Sequence, residues 1–363
     1  MKKILALALS AILLSSISPA SGATQTCTKK ELNKIKNGQI CLIVNKKYVW
    51  KKYQAPVVAK PTPIATPTPT PTPTPVVIEK TKLEKDFDDI TRLSEDSSVA
   101  PSFTINVVSS TDVKDSSVEH IKAKYQKDYN FWSHYVSGLK NLSLIISTGD
   151  NVRWLADQID KIVGHPDNLF YQANVDSVTR EPCQNFGAGS LFLITDIYIN
   201  TYRLYPQQCS TQEPTKPEYV GAPFHEFTHN MQTALTGDAR LLPCWIKEGQ
   251  ATFYENNLGN AGNFAEFTKV KNMWLSRVNK YNFSTTIKKL DTNYGDGNCS
   301  RDGGYEYGYT AMQLLANKYG QSKSIDFLKE VGVTKDWKVA FERTYGQTLD
   351  QWLADSAKDL SSV

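Results

Sequence analysis

His225 and His229 stand four residues apart in the stretch Pro223-Phe224-His225-Glu226-Phe227-Thr228-His229-Asn230. Phe224, Phe227, Met231, Ala234 and Leu235 supply an apolar flank at helical spacing, and Gly237 is a fitting stop. Positions i and i+4 of a helix share one face, so both imidazoles project together and can grip one ion. Further on, Trp245-Ile246-Lys247-Glu248-Gly249 opens a second helix, from which Glu248, nineteen positions after His229, can add a carboxylate oxygen. Neutral imidazoles and a carboxylate suit a single Zn2+, leaving a fourth tetrahedral position for water. Glu226, beside the first histidine, is placed to take a proton from that water as it attacks a carbonyl. With only five histidines in the chain, a chance match of this kind is rare. His120, His134 and His165 stand in helix or turn contexts and read as surface or core residues. Pro223 lies two residues before His225, so the helix either starts there or bends there.

The N-terminus reads as an export signal. Lys2 and Lys3 precede an apolar run at 4–14, and Ser21-Gly22-Ala23 offers a cleavage site, after Ala23 or Ala20. That run is too short to span a bilayer and no later stretch approaches the required length. The expected product is therefore secreted or associated with the cell surface, with no transmembrane segment after signal cleavage. Six cysteines, all beyond the signal, favour disulfides over thiol chemistry. Cys27 and Cys41 bracket a small segment and are expected to pair. The other four allow three pairings, of which Cys183–Cys209 and Cys244–Cys299 are favoured.

Charge divides the chain further. Residues 24–60 carry nine Lys against one Glu, whereas the chain beyond them is net −6. The segment at 27–53 suggests a short helix, an Asn37-Gly38 turn and a strand pair, with Ile40, Leu42 and Val44 alternating. Its lysines and aromatics could contact a cell-wall or other anionic polymer, or merely solvate a stalk; nucleic acid is not expected. Pro61-Thr62-Pro63 and the alternating Thr/Pro run at 66–75 form an extended, semi-rigid spacer of ~3.1 Å per residue. The expected organisation is a signal peptide at 1–23, a small basic Cys-paired module at 24–55, a Thr/Pro-rich linker at 56–79 and a catalytic domain at 80–363.

Within that last unit, 83–92 suggests a charged helix, 103–107 a strand, 118–136 a long helix and 142–146 a buried strand. Gly149-Asp150 caps a helix running to Val163, and the stretch LFLITDIYI at 191–199 adds a strand. Strands interleaved with helices ahead of the histidine motif predict an α+β fold with a strand-bearing upper half and a helical lower half.

The pairing of HEFTH with WIKEGQATFYE resembles the gluzincin branch of zinc metallopeptidases, most closely the aminopeptidase N and leukotriene hydrolase-like line. The resemblance rests on His225, Glu226, His229, Trp245, Glu248, Gly249 and Glu255. It implies a thermolysin-like catalytic domain in which His225, His229 and Glu248 bind zinc, Glu226 is the base and Glu255 supports a ligand from behind. Tyr305-Glu306-Tyr307-Gly308 looks like the Y-x-x-G of that line, which makes Tyr305 the donor to the tetrahedral oxyanion. The line's G-A-M-E-N segment, whose acid grips a substrate amino terminus, is replaced by Phe186-Gly187-Ala188-Gly189-Ser190. That replacement favours an endopeptidase, or an exopeptidase with another amine anchor, acting on a peptide or protein substrate. Two alternatives remain: a cell-surface or cell-wall binding protein with an inactive peptidase fold, and a zinc hydrolase of a non-peptide amide.

Overall fold

The computed structural model describes residues 26–52, 80–98, 103–139, 141–164, 187–191, 198–204, 221–291, 299 and 302–360. Two compact units emerge, 1–76 and 77–363. The expected signal at 1–23 and linker at 56–79 lie outside the described residues.

In the smaller unit, a 3-10 turn at Lys29–Glu31 precedes a meander of β1 (Ile35–Lys36), β2 (Gln39–Val44) and β3 (Lys47–Lys52). Two-residue turns that match strand twist need positive φ at both positions. Asn37 and Gly38 adopt 49° and 70°, and Asn45 and Lys46 adopt 51° and 64°. The meander therefore has three strands rather than the expected pair. Cys27 pairs with Cys41, as expected, and among the described residues of this unit these two and Val49 are the buried core.

The larger unit opens on α1 (Lys82–Glu95), started by a capping box in which Thr81 and Glu84 satisfy each other's backbone. A four-stranded sheet follows, in the order β4 (Ile105–Ser109), β5 (Leu142–Thr148), β7 (Tyr198–Leu204), β6 (Gly187–Leu191). The first three strands are parallel, and β6 is an antiparallel edge. The expected single strand over 191–199 is thus the end of β6 and the start of β7, two elements running in opposite directions. All seven residues of β5 are buried, as a central parallel strand covered on both faces requires. Ile145 and Ile199 pack on Leu155 and Ile159 of α3 (Val152–Val163), while Leu142, Leu144 and Ile146 join the main core with α2 (Asp115–Ser133).

Beyond the sheet the described residues are mainly helical: α4 (Ala222–Thr236), α5 (Cys244–Gly259), α6 (Phe264–Ser276), α7 (Phe283–Leu290), α8 (Gly304–Tyr319), α9 (Lys323–Thr334), α10 (Trp337–Tyr345) and α11 (Leu349–Asp359). The result is a mixed α/β architecture compatible with α+β. Helix α5 is its axis, buried on nearly every side, with α4 and α8 against it and β6 against α4. Trp245, near its start, stacks on Trp352 of α11 with centroids 6.1 Å apart and meets Trp337 and Phe341 edge-on. Among the described residues no helix is long and apolar enough to cross a membrane. The two described disulfides fit an oxidising environment.

Candidate functional site

Helix α4 begins at Ala222, so Pro223 sits in its first turn and bends nothing. First-turn amides have no intrahelical acceptor, which makes a residue without an N–H cheap there. The helix ends at Gly237, in the left-handed region at φ 79°. Position 221 also needs glycine, because a Cβ there would fall 2.2 Å from Cγ of Glu255. The chain enters α4 directly against that glutamate.

The two histidines and Glu248 converge as the spacing predicts. Nε2 of His225 and Nε2 of His229 each lie 3.4 Å from Oε2 of Glu248. One ligand atom from each residue falls within 4.8 Å of the other two, and His225 and Glu248 are buried. Among the described residues this is the sole such group of three. The outward nitrogens are held differently. Nδ1 of His225 lies 3.1 Å from Oε2 of Glu255, which places that glutamate behind the ring. Nδ1 of His229 lies 2.9 Å from Oε1 of Gln232, a residue the sequence reasoning passed over although its i+3 spacing puts it on the same helix face.

Tyr305 enters from α8, in its first turn. Its ring centroid is 5.6 Å from that of His225, and the Glu248 carboxylate acts electrostatically on its hydroxyl. What brings α8 so near is a pair of glycines. A Cβ on Gly249 would lie 2.2 Å from the carbonyl carbon of Gly308, and one on Gly308 would lie 2.4 Å from the Trp245 carbonyl oxygen. Gly249 follows Glu248 and Gly308 stands one turn after Tyr305, so the close crossing sets the two functional side chains side by side. The expected Cys244–Cys299 bridge forms at the start of α5, and a Cβ on Gly304 would strike both its sulfurs. The expected Cys183–Cys209 pair and His165 lie outside the described residues. So does Phe186, while Gly187–Leu191 form the edge strand β6 beside α4.

Charge in the site is tightly coupled. Burial opposes ionisation of Glu248, but His229 and His225 overrule it and hold the carboxyl well below its ordinary range. Burial likewise opposes a charged His225, yet the hydrogen bonds it donates to the carboxylates of Glu248 and Glu255 raise it well above the usual imidazole value. Burial first, then the carboxylates of Glu248, Glu226 and Glu255, push the Tyr305 phenol up, so it keeps its proton as a donor. Glu226 acts electrostatically on both His225 and Tyr305. The site therefore offers two nitrogens and one oxygen to a cation, a free carboxylate beside them and a protonated phenol across from them. Compared with protein-family models, with curated proteins and with solved structures, the chain matches none.

Proposed function

We propose that this chain is an exported zinc metallopeptidase of the gluzincin type, with a thermolysin-like catalytic domain acting on peptides or proteins as an endopeptidase. The observation that carries the proposal is the convergence of His225, His229 and Glu248 within 4.8 Å, next to Glu226. The donor set fits the ion, since a buried carboxylate and two imidazoles are what a three-ligand catalytic zinc takes. When bound there, zinc supplies Lewis acidity that polarises a carbonyl and acidifies water. In this reading Glu226 accepts the proton of the attacking water and delivers it to the leaving amine. Tyr305 donates to the oxygen on which charge develops, a role for which its raised pKa suits it. Glu255 fixes the ring of His225 through its Nδ1. The basic segment at 24–60, which includes the small Cys-paired module, is the part suited to an anionic cell-wall polymer.

Zinc content and cleavage of N-acetylated peptides, measured on the full chain, test this. Glu226→Gln is expected to keep its zinc and lose about 10²–10⁴-fold in turnover, the usual weight of a general base. His229→Ala is expected to lose both. Equal zinc loss in the two variants would make Glu226 a ligand, and a wild-type protein that cleaves only peptides with a free amino terminus would rule out the endopeptidase reading.

A further inference from the structure

A ring nitrogen can hold a metal only if its lone pair faces the ion, so something must fix the proton on the other nitrogen. For His225 that partner is a carboxylate. For His229 it is the neutral amide of Gln232, and an amide can present either its oxygen or its NH2. The surroundings of Gln232 remove the choice. Its Nε2 lies 2.8 Å from the Lys247 carbonyl oxygen and 3.1 Å from Oε1 of Gln250. Gln250 is oriented in turn, because its Nε2 lies 3.2 Å from the Ser324 carbonyl oxygen. Backbone carbonyls can only accept. Starting from those two, each amide has one arrangement that satisfies it, and that arrangement leaves Oε1 of Gln232 facing Nδ1 of His229 at 2.9 Å. Gln232 and Gln250 are both fully buried, so water offers no alternative partner.

We propose that Gln232 is a positioning residue that fixes the Nδ1–H form and the ring orientation of His229, with Gln250 and the carbonyls of Lys247 and Ser324 holding Gln232 in place. Nε2 of His229 then presents its lone pair on the side of Glu248, where the ion of the proposed site would lie. The relay also spans elements. It runs from α4 to α5 and on to α9, and Lys247 immediately precedes Glu248, so one amide couples the ring of one ligand to the backbone beside another. The inference rests on the metal-site reading for its consequence, whereas the tautomer itself is a property of the metal-free chain.

Two variants of the full chain separate the roles. Gln232→Leu removes the acceptor from His229. Gln250→Leu breaks the relay one step further out and leaves Gln232 anchored on Lys247. Both are expected to unfold at lower temperature. Gln232→Leu alone is expected to weaken zinc binding about 10–100-fold in chelator competition, the range seen for such outer partners, and to change the visible spectrum of the cobalt(II)-substituted protein. Gln250→Leu is expected to keep the wild-type spectrum and near wild-type affinity. Equal weakening in both variants, or none in either, would overturn the proposal. In the metal-free wild type, imidazole 15N shifts are expected to show His229 with a proton on Nδ1, whether Nε2 carries a second one toward Glu248 or not; a proton resident on Nε2 alone would overturn the proposal even if neither variant folds. A wild type that binds no zinc would instead refute the metal-site reading, and the 15N result would still decide the tautomer.

Discussion

Gly249→Ala adds one methyl group at the crossing of α5 and α8. In an ordinary helix interior the change is favourable by about 1 kcal/mol, because alanine loses less backbone freedom than glycine. Here the new Cβ would stand 2.2 Å from the carbonyl carbon of Gly308 and 2.4 Å from its Cα. Apolar contacts are comfortable at about 3.5–4.0 Å, so the helices must part by more than ~1 Å. The opposing atoms are backbone and cannot rotate aside. Overpacking of that kind costs about 1–3 kcal/mol, and a rigid neighbour pushes it toward the upper end. The clash therefore outweighs the propensity gain, leaving a net loss of about 1–2 kcal/mol and a melting temperature lower by roughly 2–8 °C. Activity should suffer more than stability. Parting the helices separates Glu248 from Tyr305, and a misplacement near 1 Å can cost about 100-fold in rate. Gly259→Ala, in the last turn of α5, is the control. Its Cβ would meet Gly221 Cα at 3.4 Å and the Phe224 ring at 3.6 Å, so the change should be neutral or mildly stabilising. Thermal unfolding, zinc content and peptide cleavage on both variants decide the matter. A Gly249→Ala protein as stable and as active as wild type would refute the claim that this crossing sets the site.

Asp128, fully buried on α2, has no hydrogen-bond partner for either carboxylate oxygen among the described residues, and the Trp132 indole one turn on falls short of bonding geometry. Burial holds its carboxyl well above the ordinary range, so its contribution to stability is complete at acid pH and is lost as pH rises through the raised value. Asp128→Asn should accordingly unfold at higher urea than wild type at pH 8, by about 1–3 kcal/mol, with the gap closing at pH 4; a gap that widens on acidification would show the group to be charged in the fold. The Cys244–Cys299 bridge closes a separation of 55 residues, so replacing both cysteines with Ser should cost about 4 kcal/mol on the chain-entropy account. Turnover should then fall further than zinc content, and unchanged turnover would mean that the bridge does not steady Tyr305.

The residues readable in advance were those whose spacing is fixed within one element. The separation of His225 and His229 is a property of helical pitch, and a helix over 222–236 delivers it whatever packs around it. The same holds for the turns at Asn37-Gly38 and Gly237, where positive φ selects the residue types. The single strand expected over 191–199 fails because LFLITDIYI is apolar on both sides of Thr195-Asp196, and two polar residues inside an apolar stretch do not by themselves mark where a chain reverses. Gln232, and the part that Gly308 plays in the helix crossing, are not legible for a different reason. A glutamine on a helix is ordinarily a solvated residue, and a helical glycine ordinarily has no special partner. Each acquires its meaning only from a second helix, through the Lys247 carbonyl in one case and the Gly249 backbone in the other.

The order of residues along the three helices of the site follows a common physical pattern. His225 is the fourth residue of α4, Glu248 the fifth of α5 and Tyr305 the second of α8, so all three come from helix beginnings. A helix start carries unsatisfied N–H groups and the positive end of the macrodipole, worth about 0.3–1 kcal/mol to a nearby negative charge. The start of α4 lies against Glu255 and that of α8 beside Glu248, which offsets part of the cost of placing these carboxylates close together. The same field would favour negative charge developing on a substrate oxygen opposite Tyr305. It also accounts for two local features that otherwise look unrelated. Pro223 is tolerated so near His225 because a helix start is where the ligand has to be. The bridge from Cys244 ties the first residue of α5 to the turn that leads into α8, joining two of the three beginnings at the point where their alignment matters.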